Sequence, residues 1–417
     1  MVSPGQFELQ LGQLCNNRCG FCISGQATHL GEAPLIGDEV LRDELRRARA
    51  AGHRRVTLLG GEPTIQPAFL PVVREAVALG FDEIVIFSNG SRLARGSLLD
   101  DVLATGGRFE WRLSFQGATR EAHERTTGRR GSFDRLVQGA TRLRERGQRV
   151  TVNMCVVASN AASLPGFAAL LGPLGVSQLH LDMLNPHDTG MRTDDEVRAL
   201  QPRYRDLVAP LTELVAALPR GFDVNIGNLP FCVAPALTPW IHHGGPATVN
   251  TSADLLSDRP LRPSHDKYLV KADRKQHLPA CRSCAVRDRC PGVFDVYRRW
   301  FGDDEFVPIT PTQLASVEPS RGRPDTLPAS VVRRLARLRR AAPFGSLRWE
   351  STRPAGEAGV EIALRSPGGE DAFVWLDERA GRPVGGYRLA PAESPPSDEL
   401  LQGLAAVMTA LGLRTGS

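Results

Sequence analysis

A chain of 417 residues, 41% hydrophobic and 23% charged, is long enough for two or three domains and has the apolar share of a normal buried core, which excludes wholesale disorder. It has no run of about 18 apolar residues, and its first residues, MVSPGQFELQ, lack a basic-then-apolar signal pattern, so a cytoplasmic protein without a membrane span is expected. A net charge of +5 is mild at this size and does not call for a nucleic-acid partner.

Residues 7–14 read as a strand, followed by a cysteine-bearing loop and a charged helix over 38–52. A second strand, 55–59, closes on Gly60-Gly61-Glu62-Pro63 and leads to a helix over 67–80. Strand 83–88 ends in Ser88-Asn89-Gly90, with a helix near 93–104. Strands at 110–115, 149–157 and 177–184 follow, with helices over 132–146, 162–170 and, as one long element, 194–218. Six β-then-α units in succession require parallel strands joined by right-handed crossovers. The expected fold is therefore α/β, a partial (β/α)6 TIM-like barrel, in which reactive loops lie at the C-terminal ends of the strands.

The alternation stops after 218. Pro, Gly, His and cysteine dominate 219–310, which suggests a small module with little core of its own. Residues 311–328 read as a linker. The rest, 329–417, reads as a small α+β domain: an arginine-rich helix at 329–341, strands at 347–351, 360–365 and 372–376, and a helix at 398–411. The arginines of the first helix are read as a solvated face rather than an RNA-binding one.

Six of the eight cysteines fall in two clusters, and tight clusters in a cytosolic chain are more often metal sites than disulfides. Cys15, Cys19 and Cys22 place three thiols within eight residues on the loop leaving the first strand. Three sulfurs suit a 4Fe–4S cluster with one iron left open, whereas a structural zinc would want a fourth ligand such as His29. This CxxxCxxC pattern, with aromatic Phe21 before the last cysteine, resembles the signature of the radical S-adenosylmethionine (SAM) superfamily. The resemblance covers roughly residues 7–220. It implies that the open iron chelates SAM, and that reductive cleavage gives a 5′-deoxyadenosyl radical that abstracts hydrogen from a substrate. It also implies an electron donor such as flavodoxin or ferredoxin.

Gly60, Gly61, Glu62 and Pro63 match the family's GGEP motif, which implies contact with the SAM amino group; a carboxylate is a fit acceptor for an ammonium. Ser88 and Asn89 resemble its third-strand motif, and Ser114 and Asn153 lie where relatives contact SAM. The alternative for these polar residues is a satisfied core group. Gln116 stands where many relatives carry an acid, so that acid's role does not transfer. Cys155, by itself in an apolar strand, is read as a buried structural thiol. No catalytic residue is assigned.

Cys281, Cys284 and Cys290 form the second cluster, with Cys232 about fifty residues upstream as a fourth thiol. The spacing resembles part of the SPASM and twitch extensions of radical SAM enzymes. It implies one auxiliary 4Fe–4S cluster in 219–310, with zinc as the alternative. Between these cysteines lie Lys267, Lys271 and Lys275, the three lysines of the chain among 51 basic residues. A solvated helix face is the plain reading; the other is a site that needs a compact ammonium.

Relatives with such extensions often modify ribosomally made peptides, which makes a peptide-maturase oxidoreductase the first expectation. The alternative is a small-molecule dehydrogenase, epimerase or carbon–carbon bond-forming enzyme of secondary metabolism. A non-enzymatic iron–sulfur or zinc protein leaves Glu62 unexplained. With the cysteine loop so near the start, no N-terminal leader-binding winged helix is expected.

Overall fold

The computed structural model describes residues 6–190, 192–219, 222–243, 248–251, 261–262, 265–317, 338, 347–355, 359–367, 370–379, 382–389 and 396–411. It divides into two compact units, one of residues 1–218 and 223–309, the other of 219–222 and 310–417.

The first unit is built on strands β1 (Gln6–Gln10), β2 (Arg55–Leu59), β3 (Glu83–Ser88), β4 (Phe109–Ser114), β5 (Arg149–Val156), β6 (Val176–Met183), β7 (Asp223–Gly227), β8 (Ile241–His242), β9 (Thr248–Thr251) and β10 (His265–Asp266). They form one sheet in the order β10-β9-β1-β2-β3-β4-β5-β6-β7-β8, parallel from β9 to β8, with β10 antiparallel at the edge. This is the TIM-like sheet expected from the β/α alternation, carried further: β7 to β10 come from the segment after 218 and extend the same sheet.

Strand alternation separates two faces. Leu9, Val56, Leu58, Ile84, Ile86, Trp111, Leu113, Val152 and Leu181 are fully buried apolar positions of one set. The intervening positions are mostly polar, Glu8, Thr57, Glu110, Arg112, Ser114, Thr151, Asn153, His180 and Asp182, with Val85 and Phe87 of β3 among them. Near the strand starts the carboxylate of Glu110 meets Arg112 at 2.9 Å, Arg55 at 3.1 Å and Arg149 at 3.3 Å. Burial works against the Glu110 charge, but the guanidinium groups of Arg112, Arg55 and Arg149 outweigh it and hold the carboxyl below its usual range.

Helices differ from expectation in specific ways. The cysteine loop runs into α1 (Ile23–Leu30), a short helix not expected from the sequence pattern. The helix expected over 194–218 is two, Asp194–Leu200 and Tyr204–Ala217. Pro202 explains the break: it excludes helical geometry at Gln201, whose ψ is 111°. The element expected at 162–170 is a 3-10 turn, Ala161–Gly166, followed by a short α-helix, Phe167–Leu171.

In the second unit, strands β13 (Arg348–Ala355), β14 (Gly359–Arg365), β15 (Asp371–Arg379) and β16 (Arg382–Leu389) make an antiparallel meander, after the short hairpin β11 (Lys275–Gln276) and β12 (Val293–Phe294) of the first unit. The fourth strand, β16, was not foreseen. Val360, Ile362, Leu364, Val374 and Leu376 pack with Leu400, Leu404, Val407 and Leu411 of the helix Asp398–Leu411. Part of the expected linker is helical, Pro311–Val317. The arginine-rich helix at 329–341 lies outside the described residues except Leu338, which is buried in this core. Among the described residues no helix is long and apolar enough to cross a membrane.

Candidate active site

The loop after β1 is fixed from below and from the side. The Cys15 amide donates to Thr28 Oγ1 (3.0 Å), and Thr28 Oγ1 donates to the Ser24 carbonyl (2.8 Å) in α1. The Arg18 amide donates to the Thr127 carbonyl at 2.7 Å, which ties the loop to the helix Arg120–Thr127. Cys22 is the N-cap of α1, so its thiol stands at the positive end of the helix. All eight cysteines are free thiols. Burial, then the charges of Cys22, Cys15 and Cys155, push the Cys19 thiol up, so the three loop cysteines and Cys155 share one neighbourhood. Burial and the adjacent Glu62 push Cys15 up to about 12.

Gly60 and Gly61 allow the loop after β2 to lie directly on the loop after β1. The Gly61 amide donates to the Gly12 carbonyl and the Glu62 amide to the Leu14 carbonyl, each at 2.8 Å. A Cβ on Gly61 would overlap the Leu14 and Gln13 carbonyl oxygens. The glycines thus serve the approach of the chain to itself, a reason the sequence did not disclose.

That contact buries Glu62 to 1% exposure beside Cys15. Its Oε1 accepts from the Thr64 amide (3.2 Å), the Thr64 hydroxyl and Ser88 Oγ (2.7 Å), and its Oε2 from the Asn89 amide (2.6 Å). Asn89 Nδ2 donates to Asn16 Oδ1 at 2.7 Å, inside the cysteine loop. Three of the expected motifs therefore meet in one hydrogen-bonded network. Oε1 is crowded; Oε2 accepts one bond and has capacity for another donor.

Ser114 and Asn153 stand opposite each other in register on β4 and β5, and Ser114 Oγ donates to Asn153 Oδ1 at 3.2 Å. His180 and Asn225 continue this row on β6 and β7. One row higher come Cys155, Asp182 and Gly227, and a Cβ on Gly227 would overlap the Asp182 carboxylate. Cys155 is a half-buried thiol on the inner face, within electrostatic reach of Cys19 and Cys22 on one side and Asp182 and Lys271 on the other. Phe21 packs with Cys155 against Val157, Leu184 and Val197. Gln116 accepts from the Cys155 amide at 3.1 Å and so helps hold β5.

The second cysteine set is gathered as well. Burial first, then Cys290, Cys284 and Cys281, push the Cys232 thiol up to about 12. Two single 3-10 turns, Pro279–Ser283 and Arg287–Arg289, present the three local cysteines. Among the described residues no three His, Cys, Asp or Glu side chains are close enough to grip a single ion.

Between the two sets lies a cavity of about 180 Å³, lined by Asn153, His180, Asp182, His243, Lys271 and Lys275 among others. Burial pushes His180 and His243 down to about 3, so both rings are neutral. Lys275 Nζ donates to Asn228 Oδ1 at 3.0 Å and lies 4.6 Å from the Phe294 ring centroid. Asn228 takes a left-handed φ of 62° and anchors itself on the Met183 carbonyl at 3.1 Å. The sequence analysis singles out none of His180, Asp182 and Asn228, whereas His243, one of two histidines between Cys232 and Cys281, reads from sequence as a surface or loop residue and is buried. The alternation of polar and apolar residues in His-Leu-Asp-Met, 180–183, was the available signal for the first two.

Residues 9–171 match the Radical SAM superfamily model, and this part of the chain is a radical SAM domain. Radical SAM domains use a 4Fe–4S cluster and SAM. The chain is 28% identical over 46% of its length to a probable GTP 3′,8-cyclase of Saccharolobus solfataricus, covering 62% of that protein. It is 26% identical over 68% of its length to a PqqA peptide cyclase of Ruegeria pomeroyi, covering 80% of it. The chain thus spans under two thirds of the curated relatives it matches first. Its fold resembles Streptococcus suis SuiB, solved with the precursor peptide SuiA, with a TM-score of 0.51, 15% identity, and coverage of 74% of this chain and 75% of that one.

Proposed function

We propose that the chain reductively cleaves SAM and uses the resulting radical to modify a peptide. One observation carries this reading: the cysteine loop, Glu62 with Ser88 and Asn89, and the polar cavity converge at the C-terminal ends of one parallel sheet. Three free thiols on one loop at a helix N-terminus fit a 4Fe–4S cluster with one open iron. Cys15, Cys19 and Cys22 would hold it. Glu62 Oε2 would receive the SAM ammonium, held in place by Asn89, Ser88 and Thr64. When bound, cluster and SAM supply a 5′-deoxyadenosyl radical that abstracts hydrogen from the substrate. Ser114 and Asn153 would position the cofactor from β4 and β5, and Phe21 would shield the cluster. Cys232, Cys281, Cys284 and Cys290, close enough to raise one another's thiols, would hold an auxiliary cluster.

The likeness to a peptide cyclase along 68% of the chain supports a peptide substrate. The likeness to GTP cyclases favours a second reading, a small-molecule substrate. Anaerobic reconstitution with a strong reductant tests the core of the proposal. SAM should yield 5′-deoxyadenosine, and replacing Cys15, Cys19 and Cys22 by alanine should abolish it. That variant should retain about four irons per chain at the second set. Cleavage that survives the triple substitution defeats the proposal, and zinc in place of iron defeats its auxiliary part.

A further inference from the structure

We propose that the cavity between the two cysteine sets receives the substrate and is a carboxylate site anchored by Lys271 and Lys275; this rests on the radical SAM function proposed above. Two of the chain's three lysines line this one cavity, and the one arginine in its lining, Arg112, is already paired with Glu110 at 2.9 Å. A lysine ammonium is a compact charge with three donors, suited to a confined acceptor where a guanidinium fork does not fit.

The two lysines are presented differently. Lys275 is half-buried on β11, oriented by Asn228 and the Phe294 ring, with one donor engaged and two left over. Lys271 lies on the helix Lys267–Asp273 and has no carboxylate within ion-pair distance among the described residues. His243 adds a third donor: both ring nitrogens are buried without a hydrogen-bond partner among the described residues, and a neutral imidazole has one N–H to give. An unpartnered buried ring nitrogen is costly unless something else satisfies it.

Asp182 stands in the same wall, in room made by Gly227. It disfavours a dianion such as phosphate and accepts a hydrogen bond from an N–H or O–H beside the bound carboxylate. At about 180 Å³ the cavity takes one side chain or a small acid rather than a folded peptide segment. An aspartate or glutamate side chain of a peptide and a free small carboxylic acid share this chemistry.

The test uses the full chain and four probes: N-acetylglutamate N-methylamide, its glutamine isostere, glutarate and methyl phosphate. Binding is read by saturation-transfer NMR titration. A carboxylate probe should bind about tenfold more tightly than the glutamine isostere, the effect of one charge-assisted hydrogen bond gained. The preference should vanish in Lys271→Gln/Lys275→Gln. Tighter binding of the peptide-like acid than of glutarate assigns the carboxylate to a peptide, and the reverse assigns it to a free acid. Equal binding of acid and isostere, preference for methyl phosphate, or an acid preference intact in the double variant overturns the proposal. The comparison of acid with isostere needs only the unsubstituted protein, so it stands if the variant fails to fold. Substrate-free SAM cleavage is measured in parallel on the unsubstituted protein; its absence counts against the radical chemistry and leaves the carboxylate result to be judged by itself.

Discussion

Glu62 shows how one side chain joins separate motifs. Burial pushes its carboxyl above the ordinary range, while the bonds from Asn89, Thr64 and Ser88 pull it back. Every hydrogen bond it makes within the protein is accepted from a donor, which favours the carboxylate. Glu62→Gln brings an amide nitrogen against one of those donors. It should weaken SAM binding and also destabilise the fold by about 2 kcal/mol, since a charge-assisted bond becomes a donor-to-donor contact. Iron content should not change. Equilibrium dialysis with labelled SAM, thermal unfolding and iron analysis separate the three readouts; unaltered SAM affinity removes Glu62 from the site. Cys155 is the residue whose surroundings differ most from expectation. It belongs to an apolar run, but its place on the inner face brings it toward Cys19, Cys22 and Asp182.

Among the elements, β4 holds together the polar interior of the sheet. Glu110 is 1% exposed and answers three arginines from β2, β4 and β5. Because its folded pKa lies below the ordinary 4.5, its contribution to stability is complete above that value and is lost as pH falls through the lower folded value. Glu110→Gln should cost about 3 kcal/mol at neutral pH, mainly by taking the carboxylate from the largely buried Arg112, since Arg55 and Arg149 keep Glu83. The variant's urea midpoint should also fall less steeply than that of the parent as the pH drops below the ordinary carboxylate value of 4.5. Parallel pH profiles for the two proteins would mean that the carboxylate is already neutral in the fold.

The whole molecule has two compact units with separate cores. The second rests on a four-stranded meander and one helix, with Leu404 2% exposed at their interface. Leu404→Ala should cost about 3 kcal/mol, the usual result of emptying a buried leucine site. Scanning calorimetry should show two transitions, of which the variant lowers one, with substrate-free SAM cleavage retained. A single transition that shifts as a whole would show that the units unfold together.

The β/α order, the parallel sheet and the two cysteine sets were legible because each is written locally: alternating strands, amphipathic helices and thiols a few residues apart. Gly60, Gly61, Glu62, Ser88 and Asn89 were recognisable as motifs on the same grounds. The sequence could not say that Gly61 makes room for Leu14, that Glu62 binds Asn89 and Ser88, or that β7 to β10 join the barrel sheet. These depend on contacts between residues tens to hundreds of positions apart, and no local pattern encodes them. The cavity is the clearest case. Asp182, His243, Lys271 and Lys275 come from β6, the end of β8, a short helix and β11, and only the closing of the sheet against the second cysteine segment places them together. Composition marked the lysines as unusual; the tertiary structure gave two of them a common neighbour.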